Sequence, residues 1–270
     1  MIGCIIQARM GSSRLPGKMM KIVDGKFLLD YVIDQLKSSK KIEKIVVATT
    51  TLPIDNLICE HLSSKNITFF RGSSNDVLDR YFQCAKKFSI NTIVRITADN
   101  PLIDPNIVDL VIDKYNNTKC DYGTNCLPRT FPYGTEVEIF SFKKLDEVWQ
   151  NAKKPSEREH VTPYFYNNPD LFKIINLEHS KNISNLRWTI DHENDLKLFQ
   201  TIISKINHRP ILLNDILALY SKEPKLFEQN KPIIQNEGYI KSLKDDIKKI
   251  LYLEIFFINY FLFIMFCINF

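Results

Sequence analysis

A chain of 270 residues with 36 Lys+Arg against 31 Asp+Glu, a formal net charge of +5, and 44% hydrophobic against 25% charged residues has the composition of one large or two small globular domains. That balance excludes wholesale disorder and a collagen-like repeat, and a chain of this length buries enough surface to fold without disulfide staples. The excess of +5 is too mild to demand nucleic acid and suits small anionic partners equally well.

The six cysteines, Cys4, Cys59, Cys84, Cys120, Cys126 and Cys267, form no CxxC pair and are expected as mostly buried thiols in a reducing, cytoplasmic compartment. The opening MIGCIIQARMG has a short apolar run and no basic lead-in, so it does not read as a signal peptide.

Short apolar runs alternate with helical patterns along the first part of the chain. Ile2–Gln7 reads as a buried strand, followed by a loop and a helix from Phe27 to about Ser38. Ile45–Thr49 is a strand, Asp55–Ser64 a helix, Thr68–Phe70 a short strand and Asp76–Phe88 a helix. Thr92–Thr97 is a strand and Pro105–Tyr115 a helix with proline in its first turn. From about residue 118 the rhythm changes. Gly134–Phe140 alternates like a strand, Phe142–Gln150 and Glu157–Tyr166 look helical, Phe172–Leu177 and Asn185–Ile190 look like strands, and Glu193–Ile206 looks helical. The expectation is an α/β, Rossmann-like fold: a mostly parallel central sheet with helices on both faces and a small inserted α+β subregion, all within one domain over 1–249.

Residues 251–270 stand apart, with 17 apolar residues of 20 after a basic stretch from Lys241 to Lys249. That is near the length of a membrane span, but Glu254 shortens the usable run. A membrane-associated tail, a helix packed on the body or a partner, and an aberrant chain end all remain open.

In sheets of this kind ligands bind beyond the carboxyl ends of the strands. After the first strand comes Gln7–Lys18, QARMGSSRLPGK, with Gly11 and Gly17 for tight turns, Ser12 and Ser13 for hydroxyls and amides, and the cations Arg9, Arg14 and Lys18. Amides and cations at a strand end make a phosphate cradle. It matches neither GxxxxGK[ST] nor GxGxxG. Asp99 follows the strand Thr92–Thr97, beside the expected cleft, where a turn or capping role is the alternative. Asp191 follows another strand-like run, with capping of the helix near Glu193 as its alternative. Glu136 and Glu138 share a face of one strand-like run. Glu157–His160 is a charged cluster.

Residues Ile5–Lys18 (IIQARMGSSRLPGK) resemble the signature of sugar-activating cytidylyltransferases, among them the 3-deoxy-manno-octulosonate and acylneuraminate enzymes, with the closest likeness to the spore coat polysaccharide biosynthesis protein F branch. Arg71–Tyr81, Val94–Pro105, Gly134–Phe142, Glu157–Tyr164, Leu186–Leu196 and Asn236–Leu243 fit the same branch in order, over about 1–245.

The resemblance implies a nucleotide-diphospho-sugar transferase-like fold and transfer of CMP from CTP to a sugar acid, with release of pyrophosphate, for surface polysaccharide. It implies Mg²⁺ on Asp99 and Asp191. It implies catalytic roles for Lys18, Arg9 and Asp99, and nucleotide contacts from Ala8, Arg9, Gly11, Ser13, Arg14, Lys18, Ser74, Asp76 and Arg80. Glu136, Glu138, Glu159 and His160 would line the acceptor pocket, His160 as an orienting group or base. A homodimer in the cytoplasm is expected, with membrane association through 251–270 as an open possibility. Members often carry Gly where Ala98 stands and another residue at Asn100. The alternative activity is that of a glycosyltransferase of the related fold, whose Asp-x-Asp mark is missing at Asp99-Asn100-Pro101. A non-catalytic, membrane-tethered protein of the same fold is a third reading, opposed by the presence of Lys18, Asp99 and Asp191 together.

Overall fold

The computed structural model describes residues 1–230 and 237–248. The apolar run Ile2–Gln7 forms β1 in the middle of a seven-stranded sheet. It pairs in parallel with β4 (Lys44–Thr50) on one side and β6 (Thr92–Thr97) on the other. β2 (Ile22–Val23) and β3 (Lys26–Phe27) make a small separate hairpin, and β5 (Phe69–Gly72) adds to β4 in parallel. Beyond β6 the sheet turns antiparallel through β8 (Glu138–Ser141) and β7 (Tyr122–Thr124), and β9 (Ile174–Asn176) closes that edge beside β7. The spatial order is β5-β4-β1-β6-β8-β7-β9.

Central strands are apolar at successive positions because both faces are covered. Cys4 and Ile6 of β1 pack beneath α1 (Leu28–Leu36), α4 (Pro105–Asn117), α8 (Glu193–Lys205) and α9 (Leu213–Lys222). Ile5 faces the opposite layer, built by α3 (Val77–Lys87), α5 (Phe142–Asn151) and α7 (Pro163–Asn167). Each wholly buried Ile or Leu in these layers contributes roughly 1.5–3 kcal/mol. α2 (Asn56–Ser64) completes the β4–β5 crossover through Ile58 and Leu62.

Three expectations need correction. The strand expected over Gly134–Phe140 begins only at Glu138, and Gly134 adopts φ +104 in the preceding loop. A side chain at Gly134 would strike the Trp188–Thr189 backbone, so two extended segments touch there as only glycine permits. The helix expected over Glu157–Tyr166 is two: α6 (Pro155–His160) and α7, separated at Val161, whose φ of 71 lies outside the helical region. Asn185–Ile190 is extended but outside the sheet. Its amides and carbonyls pair with Tyr133 and Asp99 instead. The hairpin β2–β3, strand β7, helix α9 and a helix α10 at 237–248 went unread in the sequence. The hydrophobic tail lies outside the described residues; among those that are described, no helix is long and apolar enough to cross a membrane. Cys4, Cys59 and Cys84 are buried free thiols as expected, while Cys120 and Cys126 are half-buried.

Candidate active site

The chain leaves β1 toward β4 and β5, then returns to the other side of β1 as β6. Neighbouring loops therefore diverge at the carboxyl ends of β1 and β6, opening a crevice there. The loop after β1 is pinned from below. Met10, Leu15 and Met19 plug into the core, and the Met10 amide donates to Asp55 Oδ1 at 2.7 Å. Asp55 is 1% exposed and its other oxygen accepts the Thr50 hydroxyl. Gly17 turns the chain at φ 66 and donates to the Met10 carbonyl. What remains free of the core, Arg9, Gly11, Ser12, Ser13 and Arg14, lines a cleft of about 880 Å³, with the buried Ala8 at its edge.

Lys18 forms the floor. Its ammonium donates to Asp99 Oδ2 at 3.0 Å, Asp191 Oδ1 at 2.9 Å and the Ile190 carbonyl at 2.9 Å. Burial alone would lower its pKa, but the two carboxylates override it and hold the lysine above its ordinary value. For Asp191 the balance runs the other way: burial raises the carboxyl, yet Lys18, Arg14 and Arg187 hold it below the usual range. One main-chain bond sets the spacing, Ile190 N donating to the Asp99 carbonyl at 2.8 Å. This bond takes the place of strand pairing for Asn185–Ile190 and brings two carboxylates far apart in sequence to one ammonium. Asp99 sits in the turn after β6, closed by Asn100 N on the Thr97 carbonyl, as its alternative had it, whereas Asp191 is not the cap of α8. The Asp99 carboxylate meets Lys18, and the cap of α8 is His192, whose amide donates to Asp195.

A second pocket of about 460 Å³ adjoins the first, sharing Arg14, Arg95, Thr97, Asp99 and His160. Glu138 and Arg95 face each other in the β6–β8 register and form a buried ion pair, with Tyr122 donating to Glu138 at 2.5 Å. Glu136, in the loop rather than the strand, accepts from Arg129, Asn100 and the Gly134 amide. Arg129 lies 3.7 Å over the Tyr133 ring. His160 contacts Ser242 at 2.9 Å and the edge of Tyr239. Burial, reinforced by Arg95, pushes His160 down to about 4, so it is neutral at pH 7. The next residue, Val161, is fully buried in a tight turn closed by Thr162 N on the His160 carbonyl at 2.8 Å. Such a turn with positive φ at a β-branched residue stores roughly 1–3 kcal/mol, which the surrounding packing must hold.

Helix α10 lies across both pockets. Glu237 pairs with Arg14 at 2.9 Å and with His192 at 3.3 Å, Ser242 meets His160, and Asp246 accepts from the Ser156 amide and hydroxyl.

A family model for cytidylyltransferases matches residues 3–248. The chain belongs to the cytidylyltransferase family. It is 31% identical over 228 residues to the spore coat polysaccharide biosynthesis protein SpsF of Bacillus subtilis, covering 82% of this chain and 94% of that protein. It is 26% identical over 203 residues to a 3-deoxy-manno-octulosonate cytidylyltransferase of Hydrogenovibrio crunogenus, covering 67% and 81%. A solved cytidylyltransferase from Leptospira borgpetersenii superposes with a TM-score of 0.81 at 37% identity, over 87% of this chain and 99% of that one. The fold is thus the expected nucleotide-diphospho-sugar transferase-like one.

In this cytidylyltransferase, most residues singled out in the sequence converge. Ala8, Arg9, Gly11, Ser13, Arg14, Lys18, Asp76, Asp99, Glu159 and His160 line the larger cleft, and Glu136, Glu138 and Asp191 line the smaller one. Ser74 and Arg80 line neither. Ser74 donates to Asn75, and Arg80, 1% exposed, braces the Ser73 carbonyl at 2.9 Å. Asp76 reaches the cleft, but its carboxylate already accepts from the Asp79 amide and from Arg158. Arg9 is held by Glu159 at 2.8 Å. Given no role in the sequence were Asp55, Arg187, Asp195 and the α10 side chains, and Arg158 figured there only as a member of the charged cluster Glu157–His160. Asp55 had one readable signal: a carboxylate directly after Pro53-Ile54, at the end of a strand.

Asp99 and Asp191 suit a hard cation. Both present oxygens to one point, where an ammonium already sits, and among the described residues no third His, Cys, Asp or Glu completes a cage. Mg²⁺ is commonly held by one or two carboxylates, with water and substrate phosphates filling the other positions.

Proposed function

We propose that this cytidylyltransferase transfers CMP from CTP to a sugar acid, with Mg²⁺ held by Asp99 and Asp191. The observation that carries the reading is the Lys18 ammonium between Asp99 and Asp191, beneath a loop that brings Arg9, Gly11, Ser13 and Arg14 to the cleft. Arg9, Arg14, Lys18 and the amides around Gly11 and Ser13 neutralise and orient the triphosphate. This is the positioning that phosphoryl-type transfer needs. An acceptor hydroxyl oxygen then bonds to the α-phosphorus and gives up its proton to water, while the bond from the α-phosphorus to the bridging oxygen breaks and pyrophosphate leaves with that electron pair. Bound Mg²⁺ supplies charge neutralisation at the phosphate oxygens. His160, neutral at pH 7, orients the acceptor from the smaller pocket, where Glu136, Glu138 and the tyrosines supply hydrogen-bonding groups. A sugar-acid acceptor is supported by the likeness to the octulosonate enzyme, and a role in surface polysaccharide by the likeness to SpsF.

Pyrophosphate release tests the whole reading. CTP, UTP, GTP and ATP are each offered with a panel of ulosonic acids, with and without Mg²⁺. Release confined to CTP, one acid and Mg²⁺ is the expected result. Equal release without a divalent cation removes the metal role, and equal release from all four nucleotides removes the base preference.

A further inference from the structure

Asp195 is a fully buried carboxylate near the site, its side chain 0% exposed, and it lines neither pocket. Capping α8 needs only the bond from His192 N to Oδ2 at 2.9 Å. Yet Asp195 does more. Oδ2 also accepts the Asp191 amide at 2.9 Å. Oδ1 accepts Arg187 Nε at 3.2 Å and Asn230 Nδ2 at 3.2 Å. Arg187 Nη2 is shared between Asp195 Oδ2 at 3.3 Å and Asp191 Oδ2 at 3.1 Å. A buried arginine–carboxylate pair is poor value as stabilisation, because desolvation offsets its attraction. Its effect here is geometric and electrostatic.

We propose that Asp195 and Arg187 form a positioning pair that presents Asp191 to the cation of the active site. The inference rests on the reading that Asp99 and Asp191 hold that cation. Arg187 ties down Asp191 Oδ2, which leaves Oδ1 facing Lys18 and Arg14 in the cleft. Asp195 balances the Arg187 charge, so the negative charge of Asp191 stays available to the cleft. Without Asp195, the guanidinium has Asp191 as its one carboxylate partner among the described residues and competes with a divalent cation for it. Partners of this kind, one shell behind a ligand, set metal affinity in many sites.

The test is Mn²⁺ binding, read by the loss of the free-ion electron paramagnetic resonance signal. It uses the full chain with CTP and no acceptor, counting only Mn²⁺ bound beyond that taken by CTP alone. Asp195→Asn should weaken binding about 10–100-fold. Asp191→Asn should weaken it too, and the double variant should be no worse than Asp191→Asn, because the first acts through the second. Wild-type affinity in Asp195→Asn, or effects that simply add, overturns the positioning role while leaving the cation reading in place. Equal binding by wild type and Asp191→Asn sinks both. Should Asp195→Asn not fold, Arg187→Lys keeps the charge but loses the fork and carries the same expectation. A folded Arg187→Lys with wild-type affinity also overturns the proposal.

Discussion

The two pockets are built from different halves of one sheet, and they handle charge differently. On the parallel side, the loop after β1 is held by buried apolar plugs and by Asp55, which acts on a backbone amide. At the rim Arg9 rests on Glu159 and Arg14 on Glu237, while below them Arg14 also reaches Asp191 and Lys18 rests on Asp99 and Asp191. On the antiparallel side, Arg95 and Arg129 are committed to Glu138 and Glu136 inside the wall itself. The first arrangement keeps charge ready for an anionic ligand. The second uses charge to fix the shape of a pocket. Substitutions on the two sides should therefore fail in different ways, turnover on one and stability on the other.

The largest effect is expected at the junction. Asp99→Ala removes a carboxylate from the Lys18 cluster without emptying the core, so turnover should fall by about 10³-fold or more while circular dichroism is unchanged. Glu138→Gln should break the comparison's other arm. It leaves the Arg95 charge buried without its partner, at a cost of roughly 3–5 kcal/mol, visible as an earlier urea midpoint. If turnover falls and the midpoint holds, the pocket wall is not the rigid element described. Lys18→Ala should slow pyrophosphate release by about 10²–10³-fold; loss of folding instead would make Lys18 a structural residue.

A subtler difference lies in pH. The pKa of His160 is lowered from 6.5 to about 4, so between those values the unfolded chain binds a proton that the folded chain refuses. Stability should decline as pH falls through that window, and His160→Gln should flatten the decline. A wild-type midpoint flat from pH 6.5 to 4 would contradict the burial of that ring. The smallest effect is expected for Arg9→Ala. Its pair with Glu159 is 44% and 31% exposed, so stability should change by less than about 1 kcal/mol, with a raised KM for CTP as the main symptom.

The sequence was most legible where one local rule governed. β1, β4 and β6 are continuous apolar runs because both faces are covered, and their helices follow from periodicity. The loop after β1 was readable as an anion site because its residues act locally. Legibility failed where distant segments decide the outcome. Leu186, Trp188 and Ile190 alternate and are all buried, the pattern of a strand, yet their backbone partners are the loops at Tyr133 and Asp99. Glu136 reads as the strand neighbour of Glu138, but Arg129 and Asn100 draw it into a loop. Ser74 and Arg80 sit in a motif beside the cleft, and only packing shows that Arg80 supports the turn from behind. Asp195 reads as a helix-capping residue, which it is; nothing local reveals that it also governs Arg187.

Helix α10 has a consequence for the order in which the molecule is made. The last strand of the sheet ends at Asn176, so every strand precedes α8, α9 and α10 in the order of synthesis. The groups that brace Arg14, His160 and Ser156 come from Glu237, Ser242 and Asp246. A chain ending after α9 contains all seven strands but lacks the lining that 237–248 gives to both pockets. In this protein the sheet and one wall of the active centre come from separate stretches of chain, the wall from the final described helix.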